Sequence, residues 1–249
     1  MANAILLPSI QSLHIEMRAY GNPLATGTGF VMNSSKGPVL ITNRHNFTGQ
    51  NNVTGEYMNP NGYIPNEFCI TYNKRNSLHF IQKIEPILDD FEPLWIEHPT
   101  WGKTADFGAL LLKNLDDVQL HPYDEATETK IKVSPSDTIS VVGFPFGLSG
   151  GGLAIWSTGF MATEHFVNYE NHPKFLIDCR SRPGQSGSAV IAQRNSGMVE
   201  LEGHSRLKAA AYSIPVTRLL GIYSGRINAQ SDLGIVWKVS AIRELTNSI

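Results

Sequence analysis

The stretch RSRPGQSGS, residues 180–188, joins two short apolar runs, FLI and AVIA. Proline presets φ and glycine accepts a positive φ, so Pro183 and Gly184 predict a tight turn between two strands. Such a turn would hold up Ser186 and let the N–H groups of Gly184 and Ser186 point toward its hydroxyl. A nucleophile with two donors beside it suits acyl transfer. The alternative interpretation is an ordinary glycine- and serine-rich loop of a β protein.

Composition narrows the classes of function. The chain has 249 residues, of which 17% are charged and 41% hydrophobic, with a net charge of −2. Its basic residues are scattered, which predicts neither a nucleic-acid partner nor a polybasic membrane patch. No apolar run approaches the roughly 18 residues that span a bilayer. We therefore expect a globular protein with no membrane partner.

The N-terminus and the cysteines bear on the compartment. The opening residues MANAILLP lack the basic region and the long apolar run of a signal peptide. The two cysteines, Cys69 and Cys179, form no Cys-x-x-Cys metal motif and suggest no disulfide framework. Together these features predict a cytoplasmic protein with unpaired cysteines.

Short β runs separated by turn residues recur along the whole chain. Residues 13–20 alternate between apolar and polar, as a half-buried strand does, and residues 27–42 form a predicted hairpin. Residues 114–130 lack a sustained pattern and read as a connection between domains. We therefore predict an all-β chain with two β-barrels, covering residues 1–118 and 119–249, and a short C-terminal helix at 241–245.

Three residues could form one catalytic group. His45 sits at the end of a predicted strand, Asp106 begins another, and Ser186 lies on the Pro-Gly turn; the separations are 61 and 80 residues. A serine hydroxyl needs a base, an imidazole with a pKa near ~6.5 can serve as that base, and a buried carboxylate fixes the imidazole. Taken singly, the histidine and the aspartate are more often structural, turn or capping residues.

The quoted motifs resemble those of the chymotrypsin-like serine peptidases, and most closely those of bacterial trypsin-like peptidases related to the high-temperature-requirement proteases. The resemblance rests on five segments: GTGFV with LITNRH, ADFGAL, VGFPFG, PGQSGS and DLGIVW. They extend from about residue 13 to the C-terminus. The family implies two antiparallel six-stranded barrels with an active site in the cleft between them.

The resemblance also implies roles for particular residues. His45 would be the general base, Asp106 the orienting carboxylate and Ser186 the nucleophile of an endopeptidase, with Gly184 and Ser186 supplying the oxyanion donors. No cofactor and no metal are implied, and the partner is a protein or peptide substrate. The strand ending in Tyr223 and Ser224, with the following Gly225, would pair with the substrate backbone.

The specificity pocket is a separate expectation. In the family that the chain resembles, the residue six before the nucleophile lies at the floor of the pocket for the side chain preceding the cut; here that position is Arg180, with Ser181 next to it. A guanidinium on the pocket floor would favour Asp or Glu before the scissile bond. The alternative is that Arg180 points outward or pairs with Asp178, leaving a pocket for ordinary apolar or small side chains.

The chain departs from the family pattern at two places. Gln185 stands where digestive members carry an aspartate that binds a freed N-terminus, so we expect no N-terminal activation. Roughly twenty extra residues lie between Ala192 and Leu219. The sequence leaves open whether a regulatory partner or self-association controls the protein.

Two rival functions remain. The segment GLSGG around Ser149 matches the nucleophile elbow of α/β-hydrolases, with Asp178 and His204 following in that fold's order. That elbow requires a helix after the serine, whereas residues 152–160 read as a strand. The second rival is a catalytically silent protein that keeps the fold for binding.

Overall fold

The computed structural model describes residues 5–203, 208–228 and 230–249. The first ten strands are β1 Ser12–Ala19, β2 Asn22–Ser34, β3 Gly37–Thr42, β4 Glu67–Lys74, β5 Phe80–Pro86, β6 Leu88–Asp89, β7 Glu92–Pro93, β8 Trp95–Glu97, β9 Gly108–Leu111 and β10 Val118–Gln119. The remaining strands are β11 Thr138–Gly143, β12 Ile155–Met161, β13 Lys174–Asp178, β14 Ala189–Arg194, β15 Gly197–Leu201, β16 Lys208–Tyr212, β17 Val216–Arg226 and β18 Leu233–Lys238. The α-helices are α1 Pro8–Gln11, α2 Arg44–Thr48 and α3 Val239–Asn247.

The first half of the chain forms one antiparallel sheet of eight strands. Its order is β10-β4-β1-β2-β3-β9-β8, with β5 also paired to β4. The inward faces of these strands pack Ile15, Leu40, Phe68 and Ile70 into a solvent-free core. The all-β class is confirmed, but this sheet has more than six strands and its described hydrogen-bond ladder does not close into a ring.

The second half contains the predicted barrel. Six strands close in the order β11-β12-β13-β18-β17-β14, and their alternating apolar residues fill the interior. The described residues between Ala192 and Leu219 include a separate two-stranded ribbon of β15 and β16. The chain leaves the first sheet at Gln119 and enters the barrel at Thr138; the domain division after residue 118 stays a prediction.

Segments near both ends of the chain make contacts between the first sheet and the barrel. Near the N-terminus, Ser9 accepts a hydrogen bond from the indole of Trp156 in the barrel at 2.9 Å. At the other end, helix α3 packs against the first sheet, and its Ala241 carbonyl lies 3.1 Å from His98 Nε2. This helix is longer than the predicted 241–245. Because it follows the last barrel strand and packs against the first sheet, it connects the two halves of the molecule.

None of the helices in the described ranges combines the length and the apolar character that crossing a membrane requires. The cytoplasmic location stays a prediction.

Candidate active site

His45 lies in the short helix α2, immediately after strand β3. Its Nδ1 is 2.8 Å from Asp106 Oδ2 and 3.0 Å from Asp106 Oδ1, and its backbone N–H donates to Oδ1 at 3.1 Å. The histidine is 9% exposed and the aspartate 7%. Because the carboxylate engages Nδ1, it fixes the ring orientation and leaves Nε2 as the nitrogen available to a reacting group.

Asp106 precedes strand β9 by two residues and lies in a bend, not in the strand that the sequence predicts. The reason is that its backbone carbonyl accepts a side-chain hydrogen bond from Asn43 at 2.6 Å. Its Oδ2 also accepts from the Ser224 hydroxyl at 2.5 Å. The carboxylate therefore contacts both halves of the molecule.

Ser186 lies on the predicted turn between β13 and β14. Gly184 has φ +89°, and a Cβ there would stand 2.4 Å from the carbonyl oxygen of Phe144, so only glycine fits. The backbone N–H of Phe146 donates to the Pro183 carbonyl at 2.6 Å. In a trans peptide the N–H points opposite to the C=O, so this bond turns the Gly184 N–H away from Phe146.

Two backbone donors lie beside Ser186. Among the residues described by the structure, neither the Gly184 N–H nor the Ser186 N–H donates to a protein acceptor, whereas Gln185 and Gly187 do. The Ser186 hydroxyl likewise makes no hydrogen bond within these residues. Unpaired donors beside a half-exposed hydroxyl are available to a substrate carbonyl.

Thr28 of strand β2 fastens the turn to the first sheet. Its N–H donates to the Ser186 carbonyl at 2.9 Å and its hydroxyl to the Gly184 carbonyl at 2.8 Å. Thr42 in turn donates to the Thr28 carbonyl at 2.7 Å. These groups are buried, so each bond satisfies a polar atom that would otherwise cost about 1–3 kcal/mol.

Gln185 is fully buried next to the nucleophile. Its Oε1 accepts from the Arg182 N–H at 2.8 Å, and its Nε2 donates to the Ser157 hydroxyl at 2.8 Å. The amide is therefore satisfied by neutral groups within the fold. No additional charged partner is needed to hold this side of the turn.

The residues predicted to bind substrate divide into two sets. Ser181 and Tyr223 are buried and hydrogen-bonded to each other through their hydroxyls, because the tyrosine ring packs into the barrel core. Their side chains are therefore closed off from solvent, and the pairing of the Tyr223 backbone with a substrate stays a prediction. Arg180 is exposed and does not form a buried pocket floor, as the outward-facing alternative held.

Two cavities meet at His45. The Ser186 cavity, of about 420 Å³, is lined by His45, Ser186, Gly184 and Phe146 among others. The Ser224 cavity, of about 300 Å³, is lined by His45, Asp106, Ser224 and Gly225 among others. The predicted base and nucleophile thus face one space, and two of the predicted substrate-binding residues face the other.

The rival nucleophile lacks its required setting. Ser149 lies in an exposed loop, its Oγ accepts a hydrogen bond from the Gly152 N–H at 3.1 Å, and strand β12 follows it instead of a helix. Asp178 is exposed at the end of β13, and His204 lies outside the described residues.

Burial raises the pKa of Cys179 to about 11, so this thiol stays protonated near neutral pH.

Sequence reasoning missed the residues that hold the site in shape. Thr28 and Thr42 were quoted only as members of motifs, and Phe146 only as part of a glycine- and proline-rich segment. Their partners lie up to 156 residues away in the chain, so no local pattern reveals these contacts. Buried threonines within otherwise apolar strands were the available signal.

Comparisons with known proteins agree with this fold. A family model described as a trypsin-like peptidase domain matches residues 27–199. Among solved structures, thermostable serine protease AL20 from an extremophilic microorganism has a TM-score of 0.54 at 11% identity, covering 98% of both chains. The serine endoprotease from Yersinia pestis has a TM-score of 0.50 at 12% identity, covering 96% of this chain and 64% of its own.

The two solved structures share little sequence with this chain. At such low identities the two structures establish a common fold alone, and this chain spans just under two thirds of the Yersinia protein. No curated protein matches the sequence. The family model, however, covers more than half of the chain and includes all three candidate catalytic residues. The chain therefore belongs to the family of trypsin-like peptidase domains, within the chymotrypsin-like serine peptidases.

Proposed function

We propose that this protein is a serine endopeptidase in which Ser186 is the nucleophile, His45 the general base and Asp106 the orienting carboxylate. One observation carries the proposal. A buried hydrogen-bonded chain runs from Ser224 through Asp106 to His45, and the far side of His45 shares a cavity with Ser186. Family membership supports the same reaction class.

The first half-reaction makes an acyl-enzyme. His45 Nε2 takes the proton of the Ser186 hydroxyl as its oxygen attacks the substrate carbonyl. The resulting imidazolium is stabilised by Asp106, which stays ionised. When the tetrahedral intermediate collapses, His45 gives that proton to the departing amine. A water molecule then repeats the sequence and releases the acid.

The negative charge on the tetrahedral oxygen needs donors in place before the reaction. The N–H groups of Gly184 and Ser186 supply them, and the Phe146 and Thr28 hydrogen bonds keep the turn from reorienting. Removing one such donor costs a factor of about 10²–10³ in kcat in a related reaction type. The substrates would be proteins or peptides, as the family implies.

Covalent labelling separates this proposal from its rivals. The purified protein is treated with an organophosphonate probe, and the modified residue is located by mass spectrometry. Labelling of Ser186 that is lost in His45→Ala supports the proposal. Labelling of Ser149 would favour the esterase alternative, and a folded protein that takes no label at either serine would favour a silent binding module.

A further inference from the structure

The Ser186 cavity has an unusually apolar outer wall. Met58, Tyr63 and Phe146 all line it, and they are 58%, 59% and 59% exposed. Leu24 and Pro60 complete this wall. Large apolar side chains that gather around one exposed space mark a site where a partner surface is buried.

The wall is held in place by the helix that carries His45. Gly49, at the end of that helix, donates to the His45 carbonyl at 2.9 Å and accepts from the Met58 N–H at 2.8 Å. A Cβ on Gly49 would lie 2.8 Å from Pro65, so the loop packs closely here. The backbone at Met58, one residue of this wall, is therefore tied to the helix that carries His45.

Strand β17 shows which end of a substrate this wall would meet. On the side facing β14, β17 pairs as far as Tyr223, whose carbonyl accepts from the Gly187 N–H at 3.0 Å. Beyond that point no strand of the described chain pairs with this side of Ser224 or Gly225. An extended peptide can add to this edge.

The direction of that peptide follows from the register. Every pairing between the named strands is antiparallel. The Tyr223 carbonyl accepts a hydrogen bond from Gly187, the residue after Ser186, so Tyr223 is closer to Ser186 than Gly225 is. An antiparallel peptide would therefore run from Gly225 toward Ser186. The residues before the scissile bond would lie in the Ser224 cavity, and the residues after it would enter the Ser186 cavity.

We infer that the Ser186 cavity selects substrates with a large apolar side chain at the first or second position after the scissile bond. This inference rests on the proposed peptidase function. Burying such a side chain is worth about 1.5–3 kcal/mol, which corresponds to roughly a tenfold to hundredfold preference in kcat/KM. Substrate specificity would then depend on the residues after the scissile bond. The hydroxyls of Ser181 and Tyr223 are buried and hydrogen-bonded to each other, so they do not bind a side chain before the bond.

The test is a peptide library digested by the whole protein, with both sides of each cut identified by mass spectrometry. We expect Leu, Met, Phe or Tyr to be enriched at one of the two positions after the cut. The variant Tyr63→Arg should lose that enrichment and gain cuts before Asp or Glu. Tyr57→Arg is the matched control, since Tyr57 is 55% exposed in the same loop but does not line the cavity.

The outcomes separate the inference from the function beneath it. Cleavage without apolar enrichment after the cut would overturn the inference alone, and so would a Tyr63→Arg profile that matches Tyr57→Arg. Enrichment confined to positions before the cut would also overturn the inference, because the apolar preference would then belong to a pocket on the other side of the scissile bond. If the protein neither cuts the library nor takes the organophosphonate at Ser186, the peptidase function itself fails.

Discussion

The hydroxyl of Ser224 donates to Oδ2 of Asp106 at 2.5 Å, the same oxygen that lies 2.8 Å from His45 Nδ1. Ser224 comes from the barrel, whereas His45 and Asp106 come from the first half of the chain. The position of the carboxylate thus depends on how the two halves pack. A substrate strand that adds beside Ser224 would contact the residue that holds this carboxylate.

Ser224→Ala should lower kcat more than it raises KM, because it removes a donor to a buried carboxylate that orients His45. Hydrogen bonds to charged groups contribute about 1.5–3 kcal/mol, so kcat should fall roughly tenfold to a hundredfold. Ser224→Thr keeps a hydroxyl and should recover most of the loss. Steady-state kinetics on a small peptide amide measure both, and equal rates for the alanine and wild-type proteins would contradict the role.

Gly184→Ala should reduce kcat by about a hundredfold or more. The position has φ +89°, and the added Cβ would lie 2.4 Å from the Phe144 carbonyl, so the turn must shift and its N–H loses alignment. Gly150→Ala is the matched control, because a Cβ there meets no atom within 4 Å. Similar kinetics for the two variants would refute the assignment of Gly184 as an oxyanion donor.

Extra residues fused ahead of Met1 should leave the rate of peptide hydrolysis nearly unchanged. The reason is that the Gln185 amide is satisfied by Arg182 and Ser157 and requires no charged terminus. The comparison is between the fused protein and the same protein after the fusion is removed by a specific protease. A strong gain in kcat on removal would mean that a freed terminus organises the turn.

The local features of the site could be predicted from the sequence. The Pro-Gly turn and the positive φ at Gly184 both follow from residue types within one short segment. A barrel in the second half could be predicted as well, because short apolar runs separated by turn residues recur there. His45 was placed one element early, since its short helix α2 follows directly on β3.

The contacts between distant segments could not be predicted. Thr28 bonding to Gly184, and Ser224 bonding to Asp106, join residues 156 and 118 positions apart. Periodicity reports which face of a strand is buried but does not report its partner in space. For the same reason the sequence did not indicate that the register of β17 turns the Tyr223 ring into the barrel core.

The contribution of the buried histidines to the free energy of unfolding should fall as the pH drops below about 6.5. Burial lowers the pKa of His14, against a smaller opposite effect of Glu16, and its Nε2 is buried without a partner within the described structure. The unfolded chain therefore takes up a proton at a higher pH than the folded protein, and stability is lost until the folded pKa is passed. Burial also lowers the pKa of His98, His121 and His165.

His14→Phe isolates the part due to His14. Its ring lies edge-on to Phe144, at 5.3 Å between centroids, so phenylalanine can occupy the site without titrating. Urea unfolding of both proteins between pH 5 and pH 7.5 gives the comparison. We expect a smaller loss of stability in the variant at the acidic end, and parallel curves would show that His14 does not contribute.

The most direct test of the peptidase mechanism is the kcat of Ser186→Ala on a small peptide amide, with the fold checked by circular dichroism. The substitution deletes one half-exposed hydroxyl that bonds nothing in the described chain, so the protein should stay folded. We predict a loss of at least roughly 10⁴-fold, with little further loss in the double variant with His45→Ala. A folded Ser186→Ala protein that keeps substantial activity, or an equal loss in Ser149→Ala, would contradict the mechanism.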